Sequence, residues 1–203
     1  MSEYSVFSVP SAAAKREARL PLLAARRAMT PEAVAAADAA LAAGLSALVP
    51  PDAGWTVCAY VPMPGEPGGP GLPDRLAALP GVARVLLPVL RPDRDLDWAA
   101  YTGPDALAPA AFGLREPTGP RCGVTGITEA ALVLVPALAV DRAGLRLGRG
   151  GGSYDRALAR VRPGTAVIAL LHEGELVDRV PAEPHDQRVT GVLMPSGLVR
   201  IPG

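Results

Sequence analysis

The chain has only two cysteines, Cys58 and Cys122, and only two histidines. The cysteines lie far apart in the sequence and form no Cys-x-x-Cys pair, so these residues do not read as a metal site. They read as buried free thiols of a reducing compartment, and the expected location is cytoplasmic. Formal net charge is zero, which removes the bulk electrostatic case for nucleic acid or a membrane surface as partner. No apolar run approaches the ~18 residues of a membrane span. The run from Ala130 to Val135, as long as any, is stopped by Pro136. The first eleven residues lack the apolar core of a signal peptide. Internal repeats and heptads are absent. So is any Ser-His-Asp or Cys-His arrangement for covalent catalysis. Lysine is scarce beside abundant alanine, a mutational bias without chemical meaning.

What is present suits a folded globular chain. Apolar residues make up 49% of 203 residues. A chain of this length buries roughly 70% of its unfolded surface without metal or disulfide. Residues 1–10 read as a flexible tail and 11–203 as a single domain. Helical patterning runs from Ser11 to Met29, with Ser11 as N-cap and a stripe of Ala14, Ala18, Leu22 and Ala25. Lys15 and Arg19 stand four apart on one face. Thr30-Pro31 opens a second helix that reaches about Leu48. Strands are expected over 55–61, 83–90, 96–101, 130–135 and 165–171, with a short helix over 72–79. A closing hairpin joins Val192–Met194 to Leu198–Ile201. Strands alternating with helices argue for a three-layer α/β/α sandwich on a mostly parallel sheet.

The most informative stretch follows the 130–135 strand. Arg146-Leu-Gly-Arg-Gly-Gly-Gly-Ser-Tyr-Asp155 ends in a short helix with Tyr154, Ala157, Leu158 and Val161 at helical spacing. Glycines let backbone N–H groups approach phosphate oxygens, and the helix start behind them is electropositive. Arginine forks match phosphate geometry, and Asp155 suits a magnesium ion that accompanies a nucleotide. Three familiar phosphate motifs do not fit. A P-loop needs Gly-Lys-Ser/Thr, and the stretch has no lysine. The dinucleotide fingerprint needs glycine at 153, where Ser stands, directly after the strand. A kinase loop needs a downstream Val-Ala-Ile-Lys and His-Arg-Asp.

This string, preceded by Val135-Pro-Ala-Leu-Ala-Val-Asp141, resembles the signature of the 5-formyltetrahydrofolate cyclo-ligase family. The resemblance extends from Lys15 to Met194 and implies a sugar-phosphate-isomerase-like sheet topology. It implies ATP as co-substrate, Mg2+ as cofactor and a folate as substrate, in a protein read as a monomer. Lys15-Arg-Glu-Ala-Arg19 resembles the family's opening helix, which reaches the ATP phosphates. Met63 and Glu66 match the spacing of residues that hold the folate. Pro181-x-x-x-x-Asp186 matches a segment whose aspartate partners Asp155 on magnesium.

The roles implied are therefore these. Lys15, Arg19, Arg146, Gly148, Arg149, Gly150, Gly151, Gly152, Ser153 and Tyr154 bind ATP. Met63, Glu66 and the 149–152 loop with Ser153 bind the folate. Asp155 and Asp186 hold the metal, and Arg149 is catalytic.

Departures from the pattern are the Pro67–Gly71 loop, Ser153 in place of an aromatic, Glu175 where the family often has Gln, and Thr190 where it often has Asp. Phe112, in a string resembling the family's aromatic-Gly-Ile-x-Glu-Pro, is read as core, with contact to a folate or adenine ring as the alternative. His172 is read as packing and His185 as exposed loop. The rival readings are a nucleotide-binding family member without turnover, acting in regulation, and a sugar-phosphate isomerase or CoA-transferase relative.

Overall fold

The computed structural model describes residues 11–202. The expected tail over residues 1–10 lies outside the described residues, as does the Ser11 side chain. Helix α1 (Ser11–Ala28) is followed by α2 (Pro31–Leu45). Thr30 caps α2 as its sequence indicates, its hydroxyl accepting from the Ala33 N–H at 3.2 Å. The helix stops at Leu45 rather than Leu48, because residues 46–48 tighten into a turn before Pro50.

The chain then lays down β1 (Trp55–Cys58), α3 (Leu72–Ala77), β2 (Val82–Leu90) and β3 (Leu96–Ala100). A small hairpin of β4 (Leu107–Pro109) and β5 (Arg115–Pro117) precedes β6 (Leu132–Pro136). A second hairpin, β7 (Ala139–Asp141) and β8 (Arg146–Leu147), fills the connection from β6 to α4 (Ser153–Leu158). The remaining strands are β9 (Ala166–Leu170), β10 (Leu176–Val177), β11 (Gly191–Met194) and β12 (Gly197–Arg200). Strand β1 ends at Cys58, short of the expected Val61, and α4 ends at Leu158, short of Val161.

Seven strands form the central sheet in the order β12-β11-β9-β6-β1-β2-β3. The five inner strands run parallel, and antiparallel β12 and β3 close the edges. Because side chains alternate across a strand, each inner strand feeds two cores. Leu132, Leu134, Ile168 and Leu170 pack on Leu41 and Leu45 of α2 and Leu72 and Leu76 of α3. Val133, Val135, Val167 and Ala169 face the other way, onto Ala157 and Leu158 of α4 and onto Trp98. The result is the three-layer α/β/α arrangement expected. Among the described residues no helix is long and apolar enough to cross a membrane.

A separate small sheet, β10-β7-β8, carries α1. Ala18 and Leu22 pack there on Ala139, Leu147 and Val180. Buried Asp141 fixes its turn, accepting from the N–H groups of Ala143, Leu145 and Val180. A buried pair ties the far end of α1 down: Arg26 binds Glu175 through Nε at 2.6 Å and through Nη2 at 2.7 Å. Glu175 also accepts from the His172 N–H at 2.8 Å. With α1 held at both ends, Lys15 and Arg19 are brought to the carboxyl ends of β1 and β6. In open α/β sheets that is where ligands collect.

Of the two cysteines, Cys58 is buried as expected, while Cys122 is only half-buried because it lies in the loop beside β3. Both are free thiols.

Candidate active site

Every residue singled out in the sequence as a site candidate lines one cleft of about 470 Å³. Three segments build it: the loop after β1, the glycine stretch between β8 and α4, and the face of α1.

The glycine stretch follows from its residues. Gly150 has φ 100° and Gly152 has φ 69°, backbone that a side chain rarely adopts. A Cβ on Gly150 would also stand 3.2 Å from the Arg19 guanidinium. Arg19 lies there because its Nε donates to the Gly148 carbonyl at 2.8 Å. Beneath the loop Arg146 is buried. Its Nη2 donates to Asp155 at 3.0 Å and its guanidinium lies over the Tyr154 ring, 5.6 Å from the centroid. Two polar groups here find no hydrogen-bond partner among the described residues, Arg146 Nε and the Tyr154 hydroxyl. Burial pushes the Tyr154 hydroxyl well above its ordinary value, with the Glu66 charge acting in the same direction. Tyr154 therefore presents a proton at neutral pH.

The loop after β1 brings Met63 and Glu66. One Glu66 oxygen accepts from the Met63 N–H at 3.0 Å and the other from Arg149 Nε at 2.8 Å. The Pro67–Gly71 loop is held by side-chain contacts. Gly68 N–H donates to Asp38, Arg75 donates to the Gly68 carbonyl, and buried Tyr60 donates to the Pro67 carbonyl.

The segment before β11 supplies the acidic side. Lys15 donates to both Asp186 oxygens, at 2.6 and 2.7 Å, and to Glu183 at 2.8 Å. Burial acts to lower the Lys15 pKa. The hydrogen bonds and charges of Asp186 and Glu183 outweigh it, and the ammonium stands above its ordinary 10.5. Asp155 belongs to the same corner, since Gln187 N–H donates to its Oδ1 at 3.4 Å. Asp155 and Asp186, expected as a metal pair, both line this cleft, and each carboxylate faces a cation. Hard carboxylate oxygens are the donors magnesium takes, so the donor set fits that ion. Glu183 and His185 join Asp186, with one ligand atom of each within 4.8 Å of the others.

Outside this cluster, His172 packs as expected, buried with Nε2 3.3 Å from the Gly65 carbonyl. His185 is exposed as expected but stands at the cleft. Thr190 supplies a strand contact instead of an acid, accepting from the Val167 N–H at 2.9 Å. The core reading of Phe112 is overturned: the side chain is 78% exposed and lines the cleft. The Phe112–Gly113 turn has positive φ at both residues, which swings the ring out of the β4–β5 hairpin. Arg94, Arg115, Leu90, Leu96 and Glu183 also line the cleft and carried no signal in the sequence.

The model of the 5-formyltetrahydrofolate cyclo-ligase family matches residues 11–195 of this chain. A 5-formyltetrahydrofolate cyclo-ligase of Mycolicibacterium smegmatis is 48% identical over 194 residues, covering 92% of this chain and 97% of the relative. The Escherichia coli protein of the same name is 29% identical over 174 residues, covering 84% of this chain and 94% of its own. Among solved structures, the NMR structure of Aquifex aeolicus 5,10-methenyltetrahydrofolate synthetase superposes with a TM-score of 0.77 at 25% identity, covering 93% of each chain. A Mycoplasma pneumoniae structure of the same name shares the fold, with a TM-score of 0.70 at 18% identity, covering 89% of this chain and 98% of that one.

Proposed function

The chain belongs to the 5-formyltetrahydrofolate cyclo-ligase family, and we propose that it converts 5-formyltetrahydrofolate and ATP to 5,10-methenyltetrahydrofolate, ADP and phosphate. The observation that carries this reading is the convergence of Lys15, Arg19, Met63, Glu66, the glycine stretch, Asp155 and Asp186 on one cleft.

The chemistry asks for positioning and charge. The formyl group on N5 is an amide whose oxygen is a poor leaving group. Attack of that oxygen on the γ-phosphorus breaks the bond to ADP and makes it a good one. N10 then bonds to the formyl carbon, the carbon–oxygen bond breaks with phosphate leaving, and the N10 proton passes to solvent or phosphate. Such a reaction needs in-line placement and cations around the transferring group.

Lys15, Arg19, Arg146 and Arg149 are the cations of this cleft that we assign to the phosphates. The 148–152 backbone shapes the passage between nucleotide and pterin, and Met63 and Glu66 orient the pterin. The buried Tyr154 hydroxyl finds no acceptor among the described residues. Magnesium, when bound, neutralises phosphate charge, and Asp155 and Asp186 would hold it.

The test is stoichiometry. ADP release should equal folate consumed and should cease when 5-formyltetrahydrofolate is left out. ATP binding with no folate-dependent ADP would instead favour the nucleotide-binding reading without turnover.

A further inference from the structure

Glu66 is a buried carboxylate on a loop, and a loop by itself holds a side chain less precisely than a strand does. The turn that carries it is built locally. Met63 to Glu66 has Pro second and Gly third, with Gly65 at φ 79° and the Glu66 N–H donating to the Met63 carbonyl at 2.8 Å. That is the residue pattern of a type II turn. The backbone on either side of Glu66 is held from elsewhere in the fold. On one side the Gly65 carbonyl lies 3.3 Å from Nε2 of His172, a residue just past the end of β9. On the other the Pro67 carbonyl accepts at 2.8 Å from the hydroxyl of Tyr60, just past the end of β1. Both rings are buried, His172 at 4% and Tyr60 at 3% exposure.

The chemistry of the two contacts fixes their direction. A carbonyl only accepts, so the His172 proton is assigned to Nε2. Nδ1 is buried and finds no partner, which leaves the Gly65 bond as the ring's one polar tie among the described residues. Burial pushes the Tyr60 hydroxyl well above its ordinary value, and the Glu66 charge acts in the same direction, so the hydroxyl keeps its proton and donates. Each ring has firm backing. The His172 N–H donates to Glu175, whose carboxylate binds Arg26. Arg26 Nη2 also donates to the Ala137 carbonyl at 2.6 Å, beside the cleft. Tyr60 belongs to the core cluster that contains Leu72, Leu134 and Leu170.

We infer that His172 and Tyr60 are positioning residues for Glu66: their hydrogen bonds to the two flanking carbonyls set where its carboxylate meets the pterin. This rests on the cyclo-ligase reading of the cleft. Packing alone does not account for the pair. A buried polar ring atom costs free energy unless it is hydrogen-bonded, and phenylalanine would fill either place without that cost. Both residues act through Glu66 and leave the reacting atoms untouched.

The experiment uses His172→Phe and Tyr60→Phe, which keep a ring and remove the hydrogen bond, and His172→Gln, whose amide N–H reaches the Nε2–H position. Amide exchange by NMR reads the loop directly, with the Glu66 amide compared against that of Leu134 in β6. Steady-state kinetics with each substrate varied reads the function. In each Phe variant the Glu66 amide should exchange about fivefold faster, the scale of one hydrogen bond lost, while Leu134 stays unchanged. The KM for 5-formyltetrahydrofolate should rise by a similar factor, more than kcat falls or the KM for ATP rises. His172→Gln should recover part of both changes. Unchanged Glu66 exchange and folate KM in both Phe variants overturns the inference. So does a loss equal for folate and ATP that follows thermal stability, since that is a packing role. Faster Glu66 exchange in variants of a protein that turns over no folate leaves the clamp on Glu66 standing and removes the cyclo-ligase reading.

Discussion

The Glu66 carboxylate and the Arg149 guanidinium meet across the cleft, Nε to Oε1 at 2.8 Å, and so join the loop after β1 to the glycine stretch. The two sides are unequal. The Glu66 side chain is 7% exposed and that of Arg149 is 45% exposed. Glu66 is fixed, with its second oxygen on the Met63 N–H, while Arg149 is the partner free to exchange. In our reading Arg149 leaves Glu66 for the transferring phosphoryl group, and the Glu66 oxygen it frees faces the pterin.

That assignment predicts a split between the two residues. Arg149→Ala should lower kcat by about 10²–10³-fold, the scale of losing one transition-state donor. Glu66→Gln should act mainly on the KM for folate. Steady-state kinetics with each substrate varied reads both. Unchanged kcat in Arg149→Ala would remove that residue from the mechanism.

Lys15 is the only lysine in the chain, so a single NMR signal reports it. Its titration should lie above 10.5, held there by Asp186 and Glu183. Since the folded value is the higher one, the stabilisation is complete below about pH 10.5 and is lost as pH rises through the raised value. The ammonium therefore stays charged across the working range. ATP should shift this signal and protect Lys15 from amine acylation. A titration at or below 10.5, with no response to ATP, would contradict both the pair and the phosphate role.

Asp155 faces two tasks, a metal and the buried Arg146. Asp155→Asn keeps a hydrogen-bond acceptor for Arg146 but removes the charge. The Mg2+ concentration for half-maximal rate should rise about tenfold or more, while thermal unfolding falls by a few degrees. If magnesium dependence is unchanged and only stability drops, Asp155 serves the fold alone.

The Arg26–Glu175 pair lies outside the cleft and is a matter of stability. Both side chains are buried. Glu175→Ala would strand a buried guanidinium, at a cost of about 3–5 kcal/mol. Glu175→Gln, which keeps an acceptor, should cost clearly less. Urea unfolding separates them, and equal losses would show that a neutral acceptor recovers nothing and that the charge carries the pair.

Legibility in the sequence followed chain locality. The glycine stretch is contiguous, so its glycines, arginines and Asp155 were readable together, and Lys15 and Arg19 were readable as one helix face. The alternation of Leu132 and Leu134 with Val133 and Val135, which feeds two cores, is written into an uninterrupted apolar run. What joins Lys15 to Asp186 spans 171 positions, and nothing in either segment names the other. Strands β7, β8 and β10 are only two or three residues long, too short to show a period of two. Phe112 misled because an aromatic residue near apolar neighbours resembles core. Its exposure comes from positive φ at a non-glycine position, which composition does not mark. Arg94 was silent for the same reason.

The central claim is that this cleft closes the folate ring at the expense of ATP. The most direct measurement is near-UV absorbance of the purified protein with 5-formyltetrahydrofolate, ATP and magnesium, each left out in turn. The account predicts a rise from the methenyl product that requires all three. No rise with the complete mixture, from protein that still binds ATP by calorimetry, would contradict it.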